Sequence, residues 1–163
     1  RLQEHDPQKF VDHDFPADKR SLTRTTPKTD TRWGQIVENC EWRSPPKDWE
    51  IVTDGAVPGD IQQGKLGDCY LLAALAALAD RQHLLDKILP QQEEDGKYII
   101  RMTKHGLPTT VVVDDRFPCL RSGEVFAPYF TRPNGKELWV LLLEKAWAKL
   151  HGSYQARPPK LDA

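Results

Sequence analysis

The sequence predicts a mixed α+β domain, and three of its segments support that prediction. Residues 71–79 form a nearly unbroken leucine and alanine run, which is typical of a buried helix. The β-branched runs "KYIIRMT" and "TTVVVDD" are joined by "KHGLP" and predict a hairpin. In "KELWVLLLEKAWAKLHGSY", apolar residues recur every four positions and Gly152 follows them, so this segment predicts a helix that ends at a glycine.

The overall composition indicates one soluble domain and excludes several partners. The chain has 163 residues, of which 39% are hydrophobic and 29% charged, and its net charge is -1. This length and composition suffice for one ordinary hydrophobic core. The balanced charge gives no support for binding to nucleic acid or to an anionic membrane surface. The longest apolar run is well short of the roughly 20 residues that a transmembrane helix needs.

The chain start and the cysteines predict a cytoplasmic fragment. The sequence opens with Arg1 rather than Met and shows no signal-peptide pattern, so we expect a piece of a longer protein. Its three cysteines, Cys40, Cys69 and Cys119, include no CxxC pair, which argues against a disulfide framework and against a zinc site. Reduced thiols in a cytoplasmic protein are the simplest interpretation, with Cys40 and Cys119 in structural roles.

The remaining segments predict shorter elements. The polar residues 1–32 indicate an extended arm with one short helical turn, and 53–68 are rich in Gly, Asp and Pro, which is typical of a loop. We expect Trp33, Trp42 and Trp49 to pin an irregular segment to the core as packing aromatics. A second short helix over 81–89 and one more short strand within 119–126 complete the predicted elements.

Residues 59–65 partly match the pattern of a phosphate-binding loop. Gly59, Gly64 and Lys65 satisfy the spacing G-x-x-x-x-G-K. The next residue is Leu66, however, so the hydroxyl that would bind magnesium is missing. Pro58 also interrupts the strand that should lead into such a loop. We therefore discount nucleotide binding.

The same stretch supports a reactive thiol at Cys69. If a helix begins near Cys69, unpaired backbone N–H groups and the helix dipole favour the thiolate. Asp68 is a natural N-cap, and Gly64 and Gly67 allow a substrate to approach the backbone closely. Gln63 could present its amide to a developing oxyanion. An inert cysteine buried at the start of a helix explains this spacing equally well.

A thiol protease also needs a histidine base with an orienting partner. The histidines of the chain lie in its polar arm, in the predicted hairpin turn and at exposed or helix-end positions, and none has a convincing partner. In papain-like enzymes the base follows the cysteine by about 130–150 residues, and this chain ends before that point. The sequence thus carries half of a catalytic site.

Five stretches of the sequence resemble the motifs of a known family. The stretch "QGKLGDCYLLAALAAL" closely resembles the active-site segment of the calpains, the calcium-dependent cysteine proteases of the cytoplasm. Four more stretches are similar to calpain segments and occur in the same order between residues 10 and 154. They are "FVDHDFPADKRSL", "WRSPPKDW", "VVVDDRFP" and "ELWVLLLEKAWAKLHGSY".

The resemblance implies the N-terminal, mainly helical half of a papain-like cysteine protease core with a small antiparallel sheet. Residues 1–32 would form an extended N-terminal arm of that core, and 33–163 its first subdomain. Position by position, Cys69 becomes the nucleophile and Gln63 the oxyanion-hole donor. The catalytic His and Asn of the family belong to a second subdomain that this chain lacks, so we expect the chain alone to be inactive.

The resemblance also implies a calcium ion in this subdomain. The matching ligands are the backbone carbonyls of Thr53 and Gly55 and the carboxylates of Asp60 and Glu137. Calcium commonly takes carbonyl and carboxylate oxygens from loops. Considered without the resemblance, Asp60 is an ordinary loop acid and Glu137 an acid favoured at the start of a helix.

Two positions depart from the calpain pattern. Tyr70 replaces the usual tryptophan after the cysteine, and Pro58 stands where many calpains have an arginine that links calcium binding to closure of the core. The function implied for the whole protein is calcium-dependent endoproteolysis of protein substrates. The alternative is a calpain-like binding or scaffold protein whose second subdomain has lost the catalytic His or Asn.

Overall fold

A computed structural model describes residues 8–28, 31–62, 69–121, 123 and 125–156, and of Cys69 and Tyr70 only the backbone. Within these ranges the chain forms five α-helices, one 3₁₀ turn and seven strands. The helices are α1 (Lys19–Leu22), α2 (Arg32–Asn39), α3 (Cys69–Ala79), α4 (Gln82–Leu85) and α5 (Trp139–His151), and the 3₁₀ turn is Pro58–Asp60. The strands are β1 (Cys40–Arg43), β2 (Ile61–Gln62), β3 (Gln91–Glu94), β4 (Lys97–Lys104), β5 (Leu107–Asp114), β6 (Phe117–Leu120) and β7 (Arg132–Pro133).

The predicted hairpin is the centre of a three-stranded antiparallel sheet with the order β3-β4-β5. Ile100 pairs with Val111 on its buried face, and the turn uses positive φ angles at His105 and Gly106. The sequence did not predict β3, whose four residues are all polar and exposed. Pairing with β4, rather than an apolar alternation of its own, places β3 in the sheet.

Helix α5 packs against this sheet and ends where the sequence predicts. Gly152 follows the helix with a φ of 101°, and its N–H donates to the carbonyl of Lys149. Leu142, Val140 and Leu143 are fully buried in the main hydrophobic cluster, together with residues of β4 and β5. The predicted C-terminal helix is confirmed.

Helix α3 forms as predicted, but it is not buried on all sides. Leu71 and Leu75 are in the main hydrophobic cluster. Ala73, Ala74 and Ala77 are exposed in the described part of the chain. A helix that is apolar all round therefore presents an alanine face outward. The predicted helix over 81–89 is present but shorter, as α4 over Gln82–Leu85.

The first part of the segment 33–52 is more regular than predicted and packs in a second hydrophobic cluster, which includes Phe15, Leu22, Ile36, Cys40, Tyr129, Phe130, Ala148 and Tyr154. Thr31 caps α2 by accepting a hydrogen bond from the N–H of Gly34 at 3.1 Å. Strand β1 then pairs antiparallel with β6, opposing Cys40 to Leu120. The prediction of an irregular segment is wrong for 33–43, because this cap and the pairing of β1 with a strand about 80 residues away impose regular structure there, whereas 44–52 contains no helix or strand.

The tryptophans of that segment are packing aromatics, as predicted. Trp33 packs against Phe130 with ring centroids 6.2 Å apart, and Trp42 meets Tyr154 edge to face at 6.1 Å. Trp49 packs against Phe126 in the same manner at 4.9 Å. These contacts hold the polar N-terminal half of the chain on the two clusters.

In the described part of the N-terminal arm, α1 is the single short helical turn that the sequence predicts. Asp18 caps it by accepting from the N–H of Arg20 at 2.8 Å. Phe15 and Leu22 are buried in the second cluster. This stretch of the chain is therefore part of the packed domain.

The α+β prediction is confirmed, but the expectation of a mainly helical half is not. Three small antiparallel sheets accompany the helices in the described ranges, and two of them join strands that are distant in sequence. The predicted strand within 119–126 overlaps β6 but begins earlier, at Phe117. None of the helices in the described ranges has both the length and the apolar content that crossing a bilayer requires.

Candidate functional site

The candidate nucleophile Cys69 is the first residue of α3, whose eleven residues end at Ala79. The first turn of a helix leaves backbone N–H groups without intrahelical partners, and the helix dipole is positive there. The described backbone thus has the start of the helix that a thiolate at this position needs. Gln63 and Asp68, the predicted oxyanion donor and N-cap, lie outside the described residues.

The other two cysteines occupy a different environment. Cys40 and Cys119 lie on the paired strands β1 and β6, and both are free thiols buried in the fold. Burial raises the pKa of each to about 12. Such thiols are protonated at neutral pH and inert as nucleophiles. This agrees with the structural role predicted for them.

The described histidines supply no paired base. His13, His83 and His105 are exposed. The Nδ1 atom of His151 is 2.9 Å from the carbonyl oxygen of Trp147, and its ring packs on the Trp147 ring with a centroid distance of 4.3 Å. Within the described residues, no histidine forms an ion pair with a carboxylate.

The predicted calcium ligands lie on two chain segments that run side by side. The carbonyl of Glu50 accepts a hydrogen bond from the N–H of Leu138 at 2.8 Å, and the carbonyl of Ile51 accepts one from Trp139 at 3.1 Å. Farther along, β2 pairs with β7. Residues 50–62 are therefore anchored at both ends beside residues 132–139.

Glu137 is the centre of this arrangement. Glu137 as a whole is only 5% exposed. Oε1 accepts from the N–H of Thr53 at 2.8 Å and from the Thr53 hydroxyl, and Oε2 accepts from Nε1 of Trp139 at 3.1 Å. Burial alone would raise the pKa of Glu137, but the donors of Thr53, Trp139 and the Asp54 backbone lower it below its usual value. The carboxylate is thus held ionised and in contact with Thr53.

The other two predicted ligands, Gly55 and Asp60, lie in the same loop, and neither forms a hydrogen bond with Glu137 among the described residues. Gly55 has a φ of 88°, which turns the backbone sharply after Thr53. Asp60 ends the 3₁₀ turn and accepts from the N–H of Val57 through Oδ2 at 2.7 Å. The carbonyl of Asp60 accepts from the N–H of Asn134 at 2.9 Å, which holds it beside the second segment.

Among the described residues, no group of three or more His, Cys, Asp or Glu side chains is placed to hold a metal ion. The predicted set contains only two carboxylates, Asp60 and Glu137, and completes its ligands with backbone carbonyls. Carbonyl oxygens and a small number of carboxylates are a donor set that suits calcium rather than a transition metal. The chemistry of these residues fits the ion that the resemblance implies.

Sequence reasoning missed the role of Trp139 and a buried charge network near the sheet. The indole of Trp139 donates to Glu137, two residues before it. Lys145 is fully buried and donates to Asp114, which also binds Arg116. A lysine within the apolar run of α5 and a pair of aspartates at the end of β5 were signals of buried ion pairing.

The sequence matches known proteins over nearly its whole length. Residues 10–159 match the profile of the calpain family of cysteine proteases. The chain is 39% identical over 156 residues to rat calpain-9, 38% over 157 residues to the rice calpain-type cysteine protease ADL1, and 37% over 157 residues to mouse calpain-10. Each match covers 90% of this chain, but only 21%, 7% and 22% of the respective relative.

The range that matches the family, residues 10–159, includes Cys69 and both chain segments around Glu137. The chain belongs to the calpain family of cysteine proteases.

Proposed function

We propose that this chain is the nucleophile-bearing first subdomain of a calpain-type cysteine endopeptidase that cleaves proteins in the cytoplasm. The observation that carries the proposal is the position of Cys69 at the first residue of α3, in a chain that belongs to a cysteine protease family. The buried thiols of Cys40 and Cys119 are unsuited to the same role. Residues 1–32 serve as the N-terminal arm of the subdomain formed by 33–163.

The proposed chemistry is that of a thiol protease. The Cys69 thiolate attacks the scissile carbonyl carbon, and the backbone N–H of Cys69 and the side-chain amide of Gln63 stabilise the oxyanion that forms. A histidine of the second subdomain takes the proton from the thiol and transfers it to the leaving amine. An asparagine there orients the histidine. Among the described residues no histidine is ion-paired with a carboxylate, so we expect the chain by itself to be inactive.

The surface of α3 supports a second subdomain as partner. Ala73, Ala74 and Ala77 expose an apolar face of a helix that begins at the nucleophile. Small side chains allow another part of the protein to approach the helix backbone closely. A catalytic histidine must also lie within hydrogen-bond reach of the thiol at the start of the helix. One subdomain docked on α3 would cover the alanine face and bring its histidine to the thiol.

The proposed ligands of a regulatory calcium ion are the carbonyls of Thr53 and Gly55 and the carboxylates of Asp60 and Glu137. The ionised state of Glu137 supports the proposal. Both donors of Thr53 bind Oε1 of Glu137, whereas Oε2 accepts only from Trp139, so an ion that binds through Oε1 competes with Thr53. We therefore expect calcium binding to shift the loop around Thr53, and to link the ion to the position of that loop.

The test of the proposed activity uses the full-length parent protein and an unfolded protein substrate. We expect cleavage that requires calcium, and a loss of at least about a thousandfold in kcat/KM for Cys69→Ala, because no other group replaces the nucleophile. Cys119→Ala removes a thiol without touching the site and should keep most of the activity. Full activity of the Cys69→Ala protein would refute the proposal.

The calcium site has its own test on the present chain. Calorimetric titration with calcium and thermal unfolding with and without the ion should show binding and stabilisation by mass action. Asp60→Asn should weaken both effects, whereas Asp80→Asn, a change at an exposed carboxylate, should leave them intact. If millimolar calcium produced no heat of binding and no thermal stabilisation, the site would be excluded.

A second candidate is a calpain-like scaffold protein without activity. Pro58, at the start of the 3₁₀ turn, and Tyr70, after the nucleophile, are the departures that favour it. A parent sequence that lacks the catalytic His or Asn, together with an inactive parent protein, would establish the scaffold. A complete pair of these residues with calcium-dependent cleavage would exclude it.

A further inference from the structure

A groove of about 630 Å³ lies between α1 and β1, away from the elements discussed above. Its lining includes Leu22, Val37, Trp42, Lys19 and Arg121. None of its lining residues belongs to α3 or to the loop of residues 50–62. The volume is within the range of natural ligand sites, about 300–1,000 Å³.

The base of the groove is apolar and well supported. Leu22 is 2% exposed in the second hydrophobic cluster, and Val37 and Trp42 pack against that cluster while remaining partly accessible. The edge-to-face contact with Tyr154 holds the Trp42 ring in place. A partly exposed indole on a rigid base offers a large contact area for one bulky apolar side chain.

The rim of the groove carries an excess of positive charge. Asp18 is engaged by Arg20, whose Nη2 lies 2.6 Å from the carboxylate, and Glu41 is engaged by Arg43 at 2.9 Å. Lys19 and Arg121 form no ion pair with a carboxylate in the ranges that the structure describes.

Arg121 is also fixed above the groove. Its Nη2 donates to the carbonyl of Cys40 at 3.3 Å, while the residue as a whole stays exposed. A guanidinium that is anchored through one nitrogen keeps its other donors available for a carboxylate. Lys19, the first residue of α1, adds a second cation to the lining of the groove.

The positive rim continues past α1. A smaller hollow of about 240 Å³ shares Lys19, Arg20 and Val37 with the groove and adds the exposed Arg24. One carboxylate, that of Glu38, also lines this hollow. An extended ligand could therefore pass from the groove over α1 while remaining close to cations.

We infer that this groove binds an extended acidic peptide segment of a partner protein, in which carboxylate side chains flank one bulky apolar side chain. The apolar side chain packs on the partly exposed Val37 and Trp42, and the flanking carboxylates pair with Lys19 and Arg121. Charge complementarity selects this occupant, because in the described lining Asp18 and Glu41 are ion-paired with arginines, whereas Lys19 and Arg121 are not within ion-pair distance of a carboxylate. A neutral or basic peptide would leave these cations uncompensated.

The test measures fluorescence anisotropy of a short labelled peptide in which glutamates flank a leucine–phenylalanine pair, bound to the present chain. We expect saturable binding that weakens with added salt, because rim charges are screened. Replacing the glutamates with glutamine, or the leucine–phenylalanine pair with glycine, should each abolish most of the binding. No saturable binding, or equal binding of the glutamine peptide, would overturn the inference.

A pair of double variants locates the site. Lys19→Gln with Arg121→Gln should weaken binding about fivefold or more, as expected for the loss of two rim ion pairs. Lys87→Gln with Arg101→Gln removes the same charge from exposed positions outside the groove and should change binding less than about twofold. An equal loss in both variants, or no loss in the first, would contradict the assignment, and thermal unfolding confirms that each variant is folded.

Discussion

Lys145 of α5 belongs to a buried ion pair that links α5, the end of β5 and the N-terminal arm. It is 0% exposed, and its ammonium donates to the side chain of Asp114 and to the carbonyls of Asp114 and Arg116. Asp114 in turn accepts from the N–H of Asp12 at 3.1 Å. One buried ion pair thus joins α5, the end of β5 and the N-terminal arm.

We predict that Lys145→Met strongly destabilises the domain, by about 3–5 kcal/mol, because it leaves the buried Asp114 without its main counter-charge. Urea unfolding measures the change. Lys136→Met breaks an exposed ion pair with Asp48 and is the matched control, for which we expect at most about 1 kcal/mol. A similar small loss in both variants would show that the buried pair does not stabilise the fold.

The lowered pKa of Asp114 makes the free energy of unfolding depend on pH. Burial raises the pKa of its carboxyl, but the charge of Lys145 and the hydrogen bonds from Arg116 and Lys145 outweigh burial and lower the pKa below its usual value. A carboxyl with a lowered pKa in the folded state stabilises the protein above its unfolded pKa of about 3.9. That stabilisation is lost as the pH falls through the folded pKa.

We therefore expect the free energy of unfolding to fall steeply below about pH 4, and to fall less steeply in Asp114→Asn. Urea titrations across the acidic range measure both slopes. Asp80→Asn, at an exposed position, should keep the slope of the original chain. An unchanged slope in Asp114→Asn would assign the acid sensitivity to other carboxylates.

Among the helices and strands, short sequence patterns predicted those that are stabilised by neighbouring residues in the chain. The period of α5, the leucine–alanine run of α3 and the paired β-branched runs of β4 and β5 are visible within short windows. Strands β2 and β7 have two residues each and exist only because they pair across about seventy residues of chain. No short window contains that information.

The glycine stop of α5 yields a prediction for one element. Gly152 has a φ of 101°, and a Cβ there would lie 3.0–3.1 Å from the guanidinium of Arg24. We expect Gly152→Ala to cost about 1–2 kcal/mol, mainly from the left-handed backbone, since the end of Arg24 can move. Thermal unfolding measures this cost.

Gly59→Ala is the control for that variant. Gly59 has no positive φ, and a Cβ there would meet no atom within 4 Å. Its substitution should change stability by no more than about 0.5 kcal/mol. Equal effects of the two substitutions would mean that the conformation of Gly152 is not what ends the helix.

At the scale of the whole molecule, α5 links the two hydrophobic clusters. Leu142 lies in the main cluster and Ala148 in the second. Lys149 adds a contact with the arm, because its ammonium lies 2.9 Å and 2.8 Å from the two oxygens of Asp12. The arm, the sheet and both clusters are therefore parts of one packed domain.

The candidate site was only partly predictable from the residues themselves. The thiol at Cys69 follows from a polar turn before an apolar helix, which is a local pattern. The contact between Thr53 and Glu137 joins residues 84 positions apart, so the resemblance to calpains and not the spacing indicated it. The donation from Trp139 and the network of Lys145 depend on burial, which the sequence does not specify directly.

The proposed function depends on α3 presenting Cys69 as a reactive thiolate. Alkylation of this chain by iodoacetamide, followed at each cysteine by mass spectrometry over a range of pH, tests it most directly. We predict that Cys69 reacts first, with a half-maximal rate below the pH of about 8.5 expected for a free cysteine, while burial protects Cys40 and Cys119. A Cys69 that reacts no faster than the two buried thiols would contradict the account.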